Sequence, residues 1–290
     1  MSDFILLTDS CCDLPADLAG EMGLSLIHLS VLVESETFTN YLDWREISAK
    51  GFYDLMRAEK TSSTSAPSIG DFVAVMEPHL QAGKDILYLG FSSALSSTVS
   101  TGMLAANELM EQYPDRKIRC VDTLCASLGQ GLFVRKVWEK MQTGACLEET
   151  WQYARDLVPH LCHWFTVNDL HALQRGGRVS KTTAVLGSAL QIKPVLHVDD
   201  EGHLINVSKA RGRKASIEAL AKKVGETGLP GENDTVFISH GDCLEDAKLL
   251  EKILQEKYGV KSAFIYYVGA VIGSHSGPGT LALFFLGNKR

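Results

Sequence analysis

The chain has 290 residues, of which 45% are hydrophobic and 22% are charged, and its formal net charge is −7. This balance is typical of a globular protein, and the negative charge argues against a nucleic-acid-binding surface. The seven cysteines form no CxxC pair, and neither a signal peptide nor an apolar run of bilayer length is visible, so we expect a cytoplasmic protein with reduced thiols.

In the first half of the chain, short apolar runs that predict strands alternate with stretches that predict helices. Asp13 and Pro15 are expected to begin a helix, and a second helix should follow an N-cap at Ser92 or Ser93. The other predicted helices cover 46–59, 69–81 and the stretch that begins in 126–131. The predicted strands cover 4–7, 24–33, 86–89 and 118–122, with a turn or hairpin over 35–40 and a polar loop over 60–68. Nearly continuous apolar strands between helices favour a parallel α/β sheet.

The pattern changes from Thr143, and we place a domain boundary near Pro159, which divides the chain into domains over 1–158 and 159–290. Two strands, over 193–198 and 203–208, should pair around the turn between them. The remaining predicted strands cover 164–167, 235–239 and 264–268, and an apolar stretch over 281–286 closes the chain. The remaining predicted helices cover 148–157, 168–174, 216–225 and 244–258.

Three polar stretches, over 64–68, 92–98 and 273–280, lie in or beside loops that follow apolar segments. In parallel sheets such loops gather at the carboxyl edge, where ligands bind. Free N–H groups after Ser92 would attract an anion, and the lack of a nearby lysine or arginine favours a carboxylate or neutral polar group over a polyphosphate. The alternative is an ordinary capped strand–turn–helix without a ligand.

Two isolated features of the sequence allow both a functional and a purely structural interpretation. His275, among small residues, could donate to an oxyanion or could be a structural turn residue. Arg175 and Arg178 flank two glycines and could bind an anion bidentately, or they could belong to a solvated turn.

An enzyme interpretation starts from the sequence GFSSA over 90–94, which nearly matches a nucleophile elbow. A serine hydrolase would then use Ser92, Asp242 and His275, although no HGGG-type oxyanion stretch is present. His160, Cys162 and His163 suggest a metal, but no second group of ligands accompanies them, so we expect no metal site. Dinucleotide-binding and phosphate-binding glycine loops are also absent from the sequence.

Eight motifs occur in the order in which one known family has them, and together they cover nearly the whole chain. They are TDSCCDLP (8–15), TSAPS (64–68), SSALSST (92–98), VDTLCASLGQG (121–131), NDLHALQRGGRVSK (168–181), IKPVL (192–196), HGD (240–242) and VIGSHSGPGTLALFF (271–285). With these motifs the chain resembles the DegV family of fatty-acid-binding proteins. The resemblance implies two α/β domains with mostly parallel sheets and a long-chain fatty acid bound between them.

The resemblance also implies a role and a set of site residues. The protein would be the non-catalytic, acyl-carrying subunit of a fatty acid kinase in phospholipid metabolism, without a cofactor, and a separate ATP-dependent kinase subunit would phosphorylate the bound carboxylate. By motif, Thr64, Ser65, Ser93 and His275 would bind the fatty acid, and Arg175 would be a secondary polar or kinase-facing residue.

Two departures from the family pattern affect the same site. Family members commonly have glutamine where Ala66 stands and glycine where Ser97 stands, so we expect the head-group site to differ there. A lipid or small-acid sensor without a kinase partner is the second alternative to the kinase-subunit interpretation, beside the serine hydrolase.

Overall fold

A computed structural model describes residues 3–168, 170–180 and 191–290. Asp169 and Lys181, which belong to the motif over 168–181, lie outside the described residues. The strands of the described residues are β1 (Phe4–Asp9), β2 (Ser25–Ile27), β3 (Ser30–Val33), β4 (Glu36–Thr39), β5 (Ser62–Ser65), β6 (Asp85–Gly90), β7 (Ile118–Asp122), β8 (Leu161–Thr166), β9 (Ile192–Val198), β10 (Leu204–Arg211), β11 (Thr235–His240), β12 (Ser262–Tyr267) and β13 (Leu281–Leu286).

The α-helices of the described residues are α1 (Ala16–Glu21), α2 (Ala49–Arg57), α3 (Ile69–Gln81), α4 (Thr98–Gln112), α5 (Leu128–Gln142), α6 (Leu147–Leu157), α7 (His171–Arg175), α8 (Arg213–Thr227), α9 (Leu244–Tyr258) and α10 (Ala270–Ser276). Three predicted elements, α3, β7 and α9, have the bounds expected from the sequence. At α3 the agreement has a local cause, because the Ser68 and Asp71 side chains form a capping box at the first turn.

The N-terminal half contains a four-stranded sheet in the order β2-β1-β6-β7, and all of its pairings are parallel. Its central strand β6 is apolar because the sheet is covered on both faces, and Ile86 to Leu89 are fully buried. Helices α3 and α4 pack on one another and on β6, while α6 contacts β6 and β7. The predicted parallel α/β arrangement is therefore confirmed for this half.

The C-terminal half contains a six-stranded sheet in the order β10-β9-β8-β13-β11-β12. Only the β11–β12 pairing is parallel, and the other four are antiparallel. Two α/β units are confirmed, but the expectation of mostly parallel sheets is corrected for this sheet. Because helices cover it on both faces, its strands are continuous apolar runs whatever their direction, and the pattern cannot reveal the direction. The boundary at 158/159 stays a prediction.

A small antiparallel sheet in the order β4-β3-β5 differs most from the sequence-based expectation. The single strand predicted over 24–33 is two strands, because the chain turns between β2 in the parallel sheet and β3 in this one. The hairpin expected over 35–40 is confirmed by the pairing of β3 with β4. The predicted polar loop contains β5, which has no apolar residue and is a strand because Thr64 pairs with Val31 of β3.

Two helix starts also differ from the prediction. Asp13 does not cap α1, since its backbone is left-handed with φ 51° and its side chain bonds elsewhere, and Pro15 is the N-cap. Helix α4 begins at Thr98, because the amides of Leu95 and Ser96 bond to the carbonyl of Ser92 and form a turn before the helix.

Within the described residues, no helix has both the length and the apolar character needed to cross a membrane.

Candidate functional site

A cavity of about 260 Å³ is lined by residues from both halves of the chain. Its volume is slightly below the range of about 300–1,000 Å³ that is usual for small-molecule sites. Loops that follow β6 and β7 line one side, and α10 with the inner faces of β8, β11 and β13 line the other. The large apolar side chains of the lining include Leu29, Phe91, Phe165, Val198, Leu204 and Phe284.

At one end of the cavity, Thr64 of β5 and His275 of α10 are joined by a hydrogen bond of 2.9 Å between Oγ1 and Nε2. Burial and the nearby charge of Arg178 lower the pKa of His275 to about 4, so its ring is neutral at neutral pH. A neutral imidazole has one donor and one acceptor nitrogen, and it can hydrogen-bond an anion without carrying a fixed charge. The loop expected over 273–280 is thus partly helical, and His275 lies in the last turn of α10.

A positively charged side chain, that of Arg178, lies near this end of the cavity although it is distant in sequence from residues 92–98. Arg178 lines the cavity and donates from Nε and Nη2 to the carbonyl of Leu95, at 3.2 and 3.0 Å. These two residues are 83 positions apart. The sequence-based argument that no lysine or arginine lies near 92–98 holds along the chain but is wrong in space. The turn formed by the two glycines between Arg175 and Arg178 is the feature of the sequence that could have indicated an arginine at this cavity.

The serines at this end differ partly from those that the sequence singled out. Ser96 and the exposed Ser97 line the cavity, whereas Ser93 is exposed without lining it, and its amide donates to Oδ1 of Asp122. Ser65 is exposed as well, because consecutive side chains of β5 point to opposite faces and Thr64 is the one that faces the cavity. A prediction of β5 as a strand would have shown that the side chains of Thr64 and Ser65 point to opposite faces, so that only one of them can face the cavity.

Ser276, next to His275, was missed by the sequence-based reasoning. Its hydroxyl oxygen is buried, lines the cavity, and has no hydrogen-bond partner among the described residues. A buried hydroxyl without a partner is costly, and a polar ligand group could satisfy it. Ala66 also lines the cavity and, as the departure from the family pattern implied, offers no polar group there.

A second polar cluster lies where the loop before α5 meets β11. The hydroxyl of Ser127 donates to Oδ2 of Asp13 at 2.6 Å and lies 2.9 Å from Oγ of Ser239. Burial raises the pKa of Asp13 to about 7. Ser127 has φ 55° and ψ −147°, a conformation that residues other than glycine adopt only when the surrounding contacts hold them there.

The residues of the hydrolase alternative do not assemble into a triad. Ser92 is buried and donates to the carbonyl of Gly202, and Asp242 forms an ion pair of 2.6 Å with Arg57. His275 bonds to Thr64 instead. Each of the three side chains therefore has a different partner, and the geometry that activates a serine nucleophile is absent from this arrangement.

The remaining predicted site residues lie outside the cavity or bond to the backbone. Arg175 is exposed at the end of α7. His160, Cys162 and His163 each bond to a backbone carbonyl, at Gly287, Lys289 and Leu161. Across residues 3–168, 170–180 and 191–290, no group of three or more His, Cys, Asp or Glu side chains is placed to hold a metal ion.

Comparison with known proteins places this architecture in a well-represented group. Residues 3–288 match the model of a family described as "Uncharacterised protein, DegV family". A DegV domain-containing protein of Clostridium perfringens is 41% identical over 290 residues, which cover 100% of this chain and 99% of that protein.

Two solved structures extend the comparison to the fold. A DegV family protein from Thermus thermophilus, described by its fatty acid binding, has a TM-score of 0.86 and 32% identity over 97% of this chain and 98% of its own. A Thermotoga maritima protein described as revealing a fatty acid binding function has a TM-score of 0.84 and 30% identity, over 98% of this chain and 99% of its own.

Proposed function

The chain belongs to the DegV family, and from this membership and the geometry of the cavity we propose that it binds a long-chain fatty acid. The observation that carries the proposal is a cavity whose lining is largely apolar and in which the hydroxyl of Thr64, the neutral imidazole of His275 and the guanidinium of Arg178 lie close to one another. A fatty acid has the same division between an apolar tail and a single polar head group. The fatty-acid-binding relatives with the same fold support this choice of ligand.

In the proposed complex, Thr64 and His275 bind the carboxylate, together with the serines at 96, 97 and 276. Burial of a sixteen-carbon tail contributes on the order of 10 kcal/mol before the costs of association, at about 0.8 kcal/mol per CH₂. The tail therefore provides most of the affinity, and the polar end orients the head group. Ser65 and Ser93 were expected from the motifs to bind the head group too, but neither is among the residues that line the cavity, which lends that expectation no support.

We further propose that the protein is not itself an enzyme but presents the bound fatty acid to a separate ATP-dependent kinase subunit in the cytoplasm. That subunit would form an acyl phosphate for phospholipid metabolism, and no cofactor would be needed on this chain. The separate partners of Ser92, Asp242 and His275 favour this role over hydrolysis. Arg175, exposed at the end of α7, is available to contact the kinase subunit.

The binding proposal is tested by extracting lipid from protein that is purified from a bacterial host without detergent. Mass spectrometry should recover about one long-chain fatty acid per chain, because a buried tail dissociates slowly. Protein stripped of lipid and then titrated with oleate or palmitate provides the complementary measurement. Recovery of no fatty acid, combined with no binding of either added ligand, would contradict the proposal.

A lipid sensor that acts without a kinase would pass the same test, so a second measurement separates the two roles. Loaded protein is incubated with a DegV-associated fatty acid kinase subunit and ATP, and acyl phosphate is trapped with hydroxylamine. Formation of the hydroxamate supports the kinase-subunit role. Its absence with loaded protein, under conditions in which a known DegV partner reacts, would leave the sensor as the better description.

A further inference from the structure

The polar cluster of Asp13, Ser127 and Ser239 connects the wall of the lipid cavity to a buried carboxyl group. Ser127 and Ser239 line the cavity, and their hydroxyl oxygens lie 2.9 Å apart. Ser127 also bonds to Oδ2 of Asp13 at 2.6 Å. A single side chain, that of Ser127, therefore separates the carboxyl group from the space that the lipid would fill.

The other oxygen of the Asp13 carboxyl belongs to a different space. Asp13 lines a second, small cavity of about 10 Å³, which is about the least volume that holds one water molecule. Oδ1 is buried and has no hydrogen-bond partner among the described residues. A Cβ on Gly269, which lines the same small cavity, would overlap Oδ1 of Asp13 and lie 3.5 Å from Oδ1 of Asn40. Two acceptor oxygens thus converge where a water molecule could donate to both.

The surroundings of Asp13 favour its neutral form. Burial raises its pKa to about 7 and the charge of Asp9 adds to this effect, whereas the Ser127 hydroxyl and the Gly269 amide lower the pKa. The other groups that interact with it electrostatically are acids whose own pKa values are raised by burial: the thiols of Cys11 and Cys12 and the phenols of Tyr53 and Tyr266. On the side of the lipid cavity, the titratable or charged lining residues are His163, His275 and Arg178.

We propose that this cluster is a proton-linked site, at which loading of the cavity with lipid makes Asp13 take up a proton from solvent. The inference rests on the proposed function, since the lipid is the ligand proposed above. Loading removes water from the cavity surface at Ser127 and brings a carboxylate into the same cavity, and both changes disfavour a second negative charge at Asp13. The proton reaches Oδ1 from the small cavity, which the lipid does not occupy.

The hydrogen-bonded chain has a consistent arrangement for both states of the carboxyl group. With Asp13 ionised, Ser239 donates to Ser127 and Ser127 donates to Asp13. With the proton on Oδ2, Asp13 donates to Ser127 and Ser127 donates to Ser239, because each hydroxyl is both a donor and an acceptor. The cluster can therefore change its protonation state by rotation of two hydroxyl groups, without breaking the chain.

Linkage fixes the sign of the resulting pH dependence. Because loaded protein binds more protons than unloaded protein, its affinity for oleate should be highest below about pH 7 and should fall as the pH rises through the pKa of Asp13. An uptake of about 0.3 proton per oleate corresponds to a loss of affinity of about twofold per pH unit.

The test measures proton uptake directly, by isothermal titration of lipid-stripped protein with oleate in buffers of different ionisation enthalpy. Wild type at about pH 7.5 should take up about 0.3 proton more per oleate than Asp13→Asn does. Ser127→Ala should shift the uptake to higher pH, because it removes a hydrogen bond that lowers the pKa of Asp13. Asp115→Asn, a change at an exposed aspartate, is the control and should keep the wild-type uptake. Thermal unfolding verifies that each variant is folded.

A spectroscopic measurement distinguishes a proton-linked aspartate from a merely structural one. The infrared difference spectrum between loaded and unloaded protein reports carboxyl groups that gain a proton, and oleate labelled with ¹³C at its carboxyl keeps the ligand's own band apart. Loading of wild type should produce a C=O band of a protonated protein carboxyl that is missing from Asp13→Asn. A structural aspartate would keep its protonation state, and no such difference would appear.

The outcomes separate the inference from the function on which it rests. Equal proton uptake in wild type and folded Asp13→Asn would overturn the proton link and leave fatty acid binding intact. If Asp13→Asn does not fold, Ser127→Ala decides, since an unchanged pH profile of its uptake would overturn the link as well. Failure of wild type to bind oleate at any pH would instead overturn the proposed function itself.

Discussion

His275 and Thr64 form the one pair of predicted site residues that the structure joins directly, by a 2.9 Å hydrogen bond at the polar end of the cavity. We expect Thr64→Val and His275→Ala to weaken fatty acid binding about tenfold each, because each removes one hydrogen bond to a charged group that water partly replaces. Isothermal titration with oleate measures the effect.

Ser65→Ala and Ser93→Ala are the matched comparison, since both serines belong to the same motifs but are exposed. Their affinities should stay within about twofold of wild type, as for surface substitutions in general. A tenfold loss in Ser93→Ala with no loss in His275→Ala would show that the head group lies outside the cavity described above.

Asp13 makes the stability of the protein depend on pH. Burial raises its pKa from 3.8 to about 7 and that of Asp9 to about 6, so folding favours the protonated form of both carboxyls. Their stabilising contribution is fully present below about pH 4 and is lost as the pH rises through 6 and 7, with a slope of up to about 1.4 kcal/mol per pH unit for each group.

Asp13→Asn removes one of these two titrations and should flatten the decline of unfolding free energy between about pH 4 and pH 7. Urea unfolding at several pH values measures the decline in wild type and variant. Asn40→Ala, a change at a neighbouring buried residue that does not titrate, is the control for a general loss of packing. An equal slope in wild type and Asp13→Asn would show that Asp13 is ionised in the folded protein.

At the scale of elements, α10 carries His275 and is held along its length by other parts of the chain. The hydroxyl of Tyr53 in α2 donates to the carbonyl of Val268, just before α10, at 2.8 Å. Within the helix, Gly273 lies against the rings of Phe52 and Tyr53 with no space for a side chain. The imidazole is therefore positioned by a helix that is itself fixed by α2.

The turn after α7 fixes the other side of the same imidazole. A Cβ at Gly176 would overlap Nδ1 of His275, so Gly176→Ala should displace the ring and weaken oleate binding by about as much as His275→Ala does, roughly tenfold. Gly177→Asn is the control, because asparagine tolerates the positive φ of 73° and, apart from its chain neighbours, no atom of the described residues lies within 4 Å of the new Cβ. Wild-type affinity in Gly176→Ala would mean that the ring can shift without loss of function.

At the scale of the whole molecule, the cavity exists only because the two halves of the chain meet. The loop over 91–97 comes from the parallel sheet, and α10 and β13 come from the C-terminal half. Transfer of phosphate to the bound carboxylate also requires a fixed head-group position, which is a stricter condition than binding.

Binding and turnover should therefore respond differently to substitution. His275→Ala should reduce kinase-coupled acyl phosphate formation by more than the tenfold loss expected for affinity, since misplacement of a reacting group can cost about a hundredfold. Arg175→Ala should leave affinity unchanged and reduce only turnover, if the exposed arginine contacts the kinase subunit. Full phosphorylation in His275→Ala, or a loss of lipid binding in Arg175→Ala, would contradict these assignments.

The sequence by itself determined the local elements and the family. Amphipathic and apolar periodicities are local properties, so they located α3, β7 and α9 with the observed bounds, and the ordered motifs identified the fold. Thr64 and His275 could be named for the same reason, since each belongs to a recognisable motif.

The tertiary structure decided the features that depend on contacts between distant residues. Strand direction in the six-stranded sheet has no local signature when helices cover both faces, and β5 is a strand only because β3 lies beside it. Arg178 meets Leu95 across 83 residues of sequence, and no spacing rule predicts such a contact. Local hydrophobic pattern determines which face of an element is buried, but only packing determines what that face meets.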